Sequence, residues 1–218
     1  MTDVGALSPS TQDYLKAIWS LGEWDPSAVT VTALAERLGL RTSTTSDGLR
    51  KLADLGFVEH APYGAIVLTD TGTAHALAMV RRHRLIETYL ERELGYTWDE
   101  VHDEAERLEH AVSEVFLDRI DALLGHPDRD PHGDAIPSAT GLPQPQEAVV
   151  LSSLALGSTA RVVRISDSSP ERLRRLADAA IRPDAVVTLG AHGEVSVGQE
   201  RHVLGDGDAD SIWVIPQA

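Results

Sequence analysis

Apolar positions near the start of the chain recur with a helical period. Tyr14, Leu15, Ile18, Trp19 and Leu21 mark one face of a helix beginning near Thr11, and Gly22 and Pro26 break it. Thr32 is a candidate cap for a short helix with Leu34, Ala35 and Leu38 inward, and Gly39-Leu40-Arg41 supplies a tight turn. A second helix over 43–55 turns Leu49, Leu52 and Leu55 inward. Its outward positions are Thr44, Thr45, Ser46, Asp47, Arg50 and Lys51, and Gly56 stops it. Two short alternating runs follow, 57–60 and 66–68, joined around Pro62-Tyr63-Gly64. Helix, turn, hydroxyl-rich helix and hairpin in this order predict a winged helix-turn-helix.

The pattern then stays helical. Leu77, Val80, Leu85, Ile86 and Leu90 repeat until Gly95-Tyr96-Thr97, and Val101, Ala105, Leu108, Val112, Val115, Phe116 and Ile120 continue it through one or two further helices over 98–124. These helices carry more apolar surface than one small domain covers, which predicts a homodimer. Residues 126–146 are rich in Pro, Gly and Asp and read as an ordered connector followed by a linker; His126 and His132 are expected to be loop histidines and not metal ligands. From 149 the period changes to short strands at 160–165, 186–189, 194–197 and 211–215, with one helix near 170–180. His192 and His202 fall in expected turns. The expected fold is mainly α, with a winged helix-turn-helix at 1–72, a helical dimerisation and metal-binding domain at 73–140, a linker at 141–148, and a small domain at 149–218 that resembles an SH3-like β-barrel.

Charge refines this picture. The net charge of −15 argues against general affinity for nucleic acid. Its distribution is uneven: residues 1–72 hold 5 basic and 9 acidic groups, and residues 73–140 hold 7 and 15. Within 37–51, Arg37, Arg41, Arg50 and Lys51 face only Asp47 as an acidic neighbour. Local charge decides whether a helix can approach phosphate. The candidate contacts with double-stranded DNA are therefore Arg41, Thr42, Ser43, Thr44, Ser46, Asp47, Arg50 and Lys51. Short hydroxyl side chains let the helix backbone sit close to base edges, and Arg and Lys hold phosphates. There is no apolar leader and no apolar run of membrane-spanning length, so a soluble cytoplasmic protein without membrane contact is expected.

The second segment carries the candidate chemistry. His102, Glu106, Glu109 and His110 are spaced i, i+4, i+7 and i+8, within about 100° of one helical face. A solvated acidic face would include Lys or Arg, whereas this one holds only cation ligands. Upstream, His83 and Glu87 repeat the i, i+4 spacing. The chain has no cysteine, so thiolate zinc sites and iron–sulfur clusters are excluded. Carboxylates with imidazoles suit manganese, ferrous iron, cobalt, nickel or zinc, and the oxygen-rich balance leans toward the harder ions.

The runs MVRRHRLIETYL, GYTWDEVHDEAERLEHAVSE and HPDRDPHGDAIP resemble the diphtheria toxin repressor family of metal-dependent transcription regulators, which includes iron-dependent and manganese-responsive members. The resemblance covers about residues 5–140 and, more loosely, a FeoA-like tail. It implies a primary metal site from Asp13, Glu106, Glu109 and His110, and an ancillary site from His83, Glu87 and His102, with Asp167 of the third domain as a further ligand. Iron-sensing members carry methionine and cysteine in place of Asp13 and Glu106, so this chain is similar to the manganese-responsive branch. Small two-domain manganese regulators carry a second acid one turn after Asp13. Lys16 stands there instead, which disfavours their closely spaced metal pair. The resemblance implies a repressor of metal-uptake genes, activated by Mn2+ with Fe2+ as the second candidate, that binds a palindromic operator as a homodimer and is not an enzyme. Two other classes fit the sequence less well. A winged-helix regulator sensing an organic ligand needs an apolar pocket where this sequence puts carboxylates and imidazoles. A metal-dependent hydrolase lacks an HExxH motif and a paired nucleophile and base.

Overall fold

The computed structural model describes residues 7–23, 29–60, 65–138 and 147–217. These form two compact units: residues 1–83, 109–112 and 137–142, and residues 84–108, 113–136 and 143–218. The tip of the expected wing, Pro62-Tyr63-Gly64, and most of the expected linker lie outside the described residues.

The first unit opens with α1 (Pro9–Gly22). Ser8 caps it by accepting from the Thr11 amide, and Pro9 sits in the first turn, where a missing N–H costs nothing. Next come α2 (Val31–Arg37) and α3 (Thr42–Asp54). The cap of α2 is Thr30, whose hydroxyl accepts from Ala33, and not Thr32 as expected. Tyr14, Leu15 and Ile18 pack with Leu34, Leu49 and Leu52 into one core that extends to Phe57, Val58 and Ile66. Two expectations for α3 are corrected. Leu55 is half exposed because it lies past the helix end. Thr45 is fully buried, its hydroxyl returned to the Arg41 carbonyl. β1 (Val58–His60) and β2 (Ile66–Leu68) pair antiparallel, with Glu59 opposite Val67.

The long helix α4 (Asp70–Leu94) passes from the first unit into the second between His83 and Arg84. Gly72 lies in its first turn, where a Cβ would stand 1.9 Å from the Phe57 carbonyl oxygen. In the second unit α5 (Val101–Leu108) and α6 (Glu114–Leu123) are separate helices, with Ser113 capping α6 through the Phe116 amide. Glu109 and His110 therefore lie in a turn beyond α5, which overturns the single ligand-bearing face expected across 102–110. Val115, Phe116 and Leu123 of α6 are exposed apolar residues.

The rest of the second unit is a six-stranded antiparallel sheet in the order β3-β8-β4-β5-β6-β7. Its strands are β3 (Val149–Val150), β4 (Thr159–Ile165), β5 (Val186–Leu189), β6 (Glu194–Val197), β7 (Glu200–Val203) and β8 (Ile212–Pro216), with α7 (Pro170–Asp178) between β4 and β5. Val162, Ile165, Leu173, Leu176, Val187, Val195, Ile212 and Val214 form the core, which also holds Trp98. His202 lies on β7 opposite Val195, not in a turn; the polar run Glu200-Arg201-His202 hides this edge strand from a hydrophobicity pattern.

Gly72→Ala should destabilise the protein by about 2–3 kcal/mol, because the added methyl forces α4 off the Phe57 carbonyl. Urea unfolding measures this; a change below about 0.5 kcal/mol, the range of ordinary surface substitutions, would contradict the packing described.

Candidate metal centre and nucleic-acid interface

In the first unit α1 and the turn after α5 bring Asp13, Glu109 and His110 together, one ligand atom from each lying within 4.8 Å of the others. The His110 Nε2 is 2.9 Å from Asp13 Oδ1 and 3.7 Å from Glu109 Oε1. Its Nδ1 donates to the Gln12 side-chain oxygen at 2.7 Å. An amide oxygen can only accept, so Gln12 holds the proton on Nδ1 and turns Nε2 toward the carboxylates. A cluster of two carboxylates and one oriented imidazole, without sulfur, fits a divalent cation of the manganese or iron type.

Glu109 is fully buried and its carboxylate is flanked by Lys16 and His83. Lys16 Nζ lies 2.5 Å from Oε1, and His83 Nδ1 lies 2.6 Å from Oε2. Arg82 donates to the Glu109 carbonyl oxygen at 3.0 Å. Burial alone would raise the Glu109 pKa, but the charges and hydrogen bonds of His83 and Lys16 outweigh it and hold the group below its usual value. Lys16, one turn beyond Asp13, thus fills with an ammonium the position at which a second acid would extend the site.

In the second unit a separate cluster forms. His102 Nδ1 of α5 lies 3.3 Å from Oε1 of Glu87 on α4 and 3.0 Å from Oδ2 of Asp167, in the loop between β4 and α7. Burial alone would lower the His102 pKa, yet the hydrogen bonds and charges of Asp167 and Glu87 push it up to about 10. Glu106 reaches the other side of the same ring, its Oε1 3.6 Å from Nε2. Of the expected primary set, Asp13, Glu109 and His110 cluster within the first unit, and within the second Glu106 stands beside His102. Of the expected ancillary set, Glu87, His102 and Asp167 meet within the second unit, and within the first the His83 Nδ1 lies on Glu109.

His132 lies in a turn, as its Pro131-His132-Gly133 context suggests, but only 1% of its surface is exposed. It packs against Trp98 and faces Glu87 and Asp167. His126, by contrast, is an exposed turn residue bonded to Asp121.

On α3 the residues Arg41, Thr42, Ser43, Thr44, Asp47, Arg50 and Lys51 are exposed and Ser46 is half-buried, so the helix presents a continuous polar face. Asp47 is paired with Arg50 at 2.9 Å. Tyr14 passes under the helix, its hydroxyl donating to the Thr44 carbonyl. A Cβ on Gly48 would meet the Tyr14 ring at 2.4 Å, so this contact fixes how close α3 lies to α1, the helix that carries Asp13.

Family models match almost end to end: the iron-dependent repressor N-terminal DNA-binding domain over 6–66, the iron-dependent repressor metal-binding and dimerisation domain over 69–138, and the FeoA domain over 149–216. The chain is 33% identical over 195 residues to the iron-dependent repressor IdeR of Mycobacterium tuberculosis, covering 84% of each. It is 32% identical over 206 residues to the diphtheria toxin repressor of Corynebacterium glutamicum, covering 91% of this chain and 88% of that one. A solved manganese-dependent transcriptional repressor in complex with manganese is 48% identical, with a TM-score of 0.89 over 95% of this chain and 100% of that one.

Lys16→Met removes the ammonium that faces a buried carboxylate and should cost the metal-free protein about 3 kcal/mol. Urea unfolding in chelator checks this; unchanged stability would show that Lys16 does not offset the Glu109 charge.

Proposed function

Because this chain belongs to the diphtheria toxin repressor family of metal-dependent transcriptional repressors, we propose that Mn2+ is its activating ion and that Asp13, Glu109 and His110, joined by Glu106, are the primary ligands. The observation that carries this reading is the Asp13–Glu109–His110 cluster, built only from oxygen and nitrogen donors and oriented through Gln12. Methionine and cysteine, the softer ligands at the matching positions of iron-sensing relatives, are replaced here by Asp13 and Glu106, which favours the harder ion. Lys16 on Glu109 supports a single ion at this centre. Glu87, His102 and Asp167 form the ancillary site, with His83 as its fourth ligand through Nε2.

The ion supplies a charge that three carboxylates share. Asp13 belongs to α1, which packs on α3 through Tyr14, and Glu109 and His110 belong to the turn between α5 and α6. Binding fixes α1 against that turn and so sets the position of α3. A ligand selective for the ordered form stabilises it by about 2.7 kcal/mol at a hundredfold excess over Kd, enough to reverse an opposing bias of 1–2 kcal/mol. The protein binds DNA and self-associates, as its DNA-binding and dimerisation domains imply. The exposed Val115, Phe116 and Leu123 of α6 support a two-fold dimer built on this helix. Such a dimer presents two copies of α3 to a palindromic operator. Arg41, Arg50 and Lys51 hold phosphates, and Thr42, Ser43, Thr44, Ser46 and Asp47 approach the bases. The protein works in the cytoplasm, where it represses metal-uptake genes.

Fluorescence anisotropy with operator DNA tests the reading. Mn2+ should tighten binding at least tenfold and chelator should reverse it; binding indifferent to chelator would overturn the metal switch. The double variant Asp13→Met with Glu106→Cys should shift the preference toward Fe2+ under anaerobic conditions. An unchanged metal ranking would contradict the assigned primary ligands.

A further inference from the structure

We propose that His132 is a metal ligand, completing through Nδ1 the cation site of the second unit that contains Glu87, His102 and Asp167. The inference deepens the metal-dependent reading and rests on it. His132 Nε2 lies 2.6 Å from the Trp98 carbonyl oxygen. A carbonyl only accepts, so Nε2 carries the proton, and in the neutral ring the lone pair is on Nδ1. This backbone-anchored imidazole is the arrangement that orients a histidine ligand toward a metal.

Nδ1 faces Glu87 Oε2 at 4.0 Å, too far for a hydrogen bond. It is the right distance for two ligands of one ion: bonds of about 2.0–2.2 Å separate two donors by roughly 3 Å at right angles and roughly 4 Å at wide angles. One ligand atom from each of Glu87, His132 and Asp167 lies within 4.8 Å of the others. His102 Nδ1 borders the same carboxylates at 3.3 and 3.0 Å. Glu87 and His132 are each 1% exposed. The side chains of Asp167 and His102 are about one-fifth exposed.

The ring is also held rigidly, as a ligand must be. It stacks on Trp98 with centroids 5.8 Å apart, and its backbone amide donates to Asp130 at 2.8 Å. Its carbonyl accepts from Ile165 at 2.9 Å, at the end of β4 that leads to Asp167. The next residue, Gly133, has φ +92° and comes so close to β4 that a Cβ would stand 2.0 Å from the Val163 carbonyl oxygen. Only glycine permits both that backbone angle and that approach. β4 thus positions the loop of His132 and the loop of Asp167 together.

The deciding experiment is diffraction at the manganese absorption edge from crystals of the full chain grown with Mn2+. The expected result is an anomalous peak within about 2.4 Å of His132 Nδ1 and bonded to Glu87 or Asp167. A peak beside Glu87, His102 and Asp167 with Nδ1 more than about 3 Å away would overturn the proposal and leave His132 a counter-charge. A peak only at Asp13, Glu109 and His110 would overturn it too while the manganese reading stands. Absence of ions from both places would overturn that reading itself. Calorimetric Mn2+ titration of His132→Phe, which keeps the stacking on Trp98, should show at least a tenfold weaker affinity for one ion and an unchanged affinity for the other; equal affinities for both would count against His132. Where this variant does not fold, the wild-type crystals decide.

Discussion

A carboxylate buried without compensation would destabilise any fold, and Glu109 is buried completely. Everything around it follows from that constraint. Lys16 reaches it from α1, His83 from α4, and Arg82 binds its carbonyl, so two cations and an imidazole from two helices converge on one turn. Asp13 and His110 stand at the edge of this network and add a carboxylate and a nitrogen donor. In the proposed reading, an ion bound by Asp13, Glu109 and His110 ties this turn to α1.

In the proposed reading, that coupling gives the metal its leverage on DNA. α1 carries Asp13 of the candidate metal cluster and sends Tyr14 to the underside of α3, at adjacent positions on one helix. A shift of α1 is transmitted to α3 through a contact too tight for a Cβ at Gly48. The acidic bulk of the chain disfavours loose association with DNA, so binding depends on the small basic face of α3 being well placed. The second cluster, around Glu87, His102 and Asp167, joins helices α4 and α5 to the loop after β4 in the same way.

Much of this was legible from residue order because it rests on local patterns. Helices α1 to α4, the two wing strands and most of the C-terminal strands follow from apolar periodicity and from Gly and Pro punctuation. The exceptions share a cause. The break between α5 and α6 is invisible because Glu109 and His110 keep a helical spacing from His102 and Glu106; only Lys16 and His83, distant in sequence, draw Glu109 into the first unit. Thr45 turns inward because its hydroxyl is satisfied by the Arg41 carbonyl, which polarity alone does not reveal. His132 sits between Pro and Gly in a run that looks solvated, and its burial is created by β4, some thirty residues on. The one local sign was Asp130, whose carboxylate accepts from the amides of both His132 and Asp134 and folds the run on itself.

Amide hydrogen exchange of the full chain, with and without Mn2+, tests the central claim most directly. If an ion shared by Asp13, Glu109 and His110 orders the reading head, exchange should slow across α1 and residues 109–112 when Mn2+ binds, in step with the gain in operator affinity. Operator binding switched on by Mn2+ while α1 exchanges at its metal-free rate would contradict it.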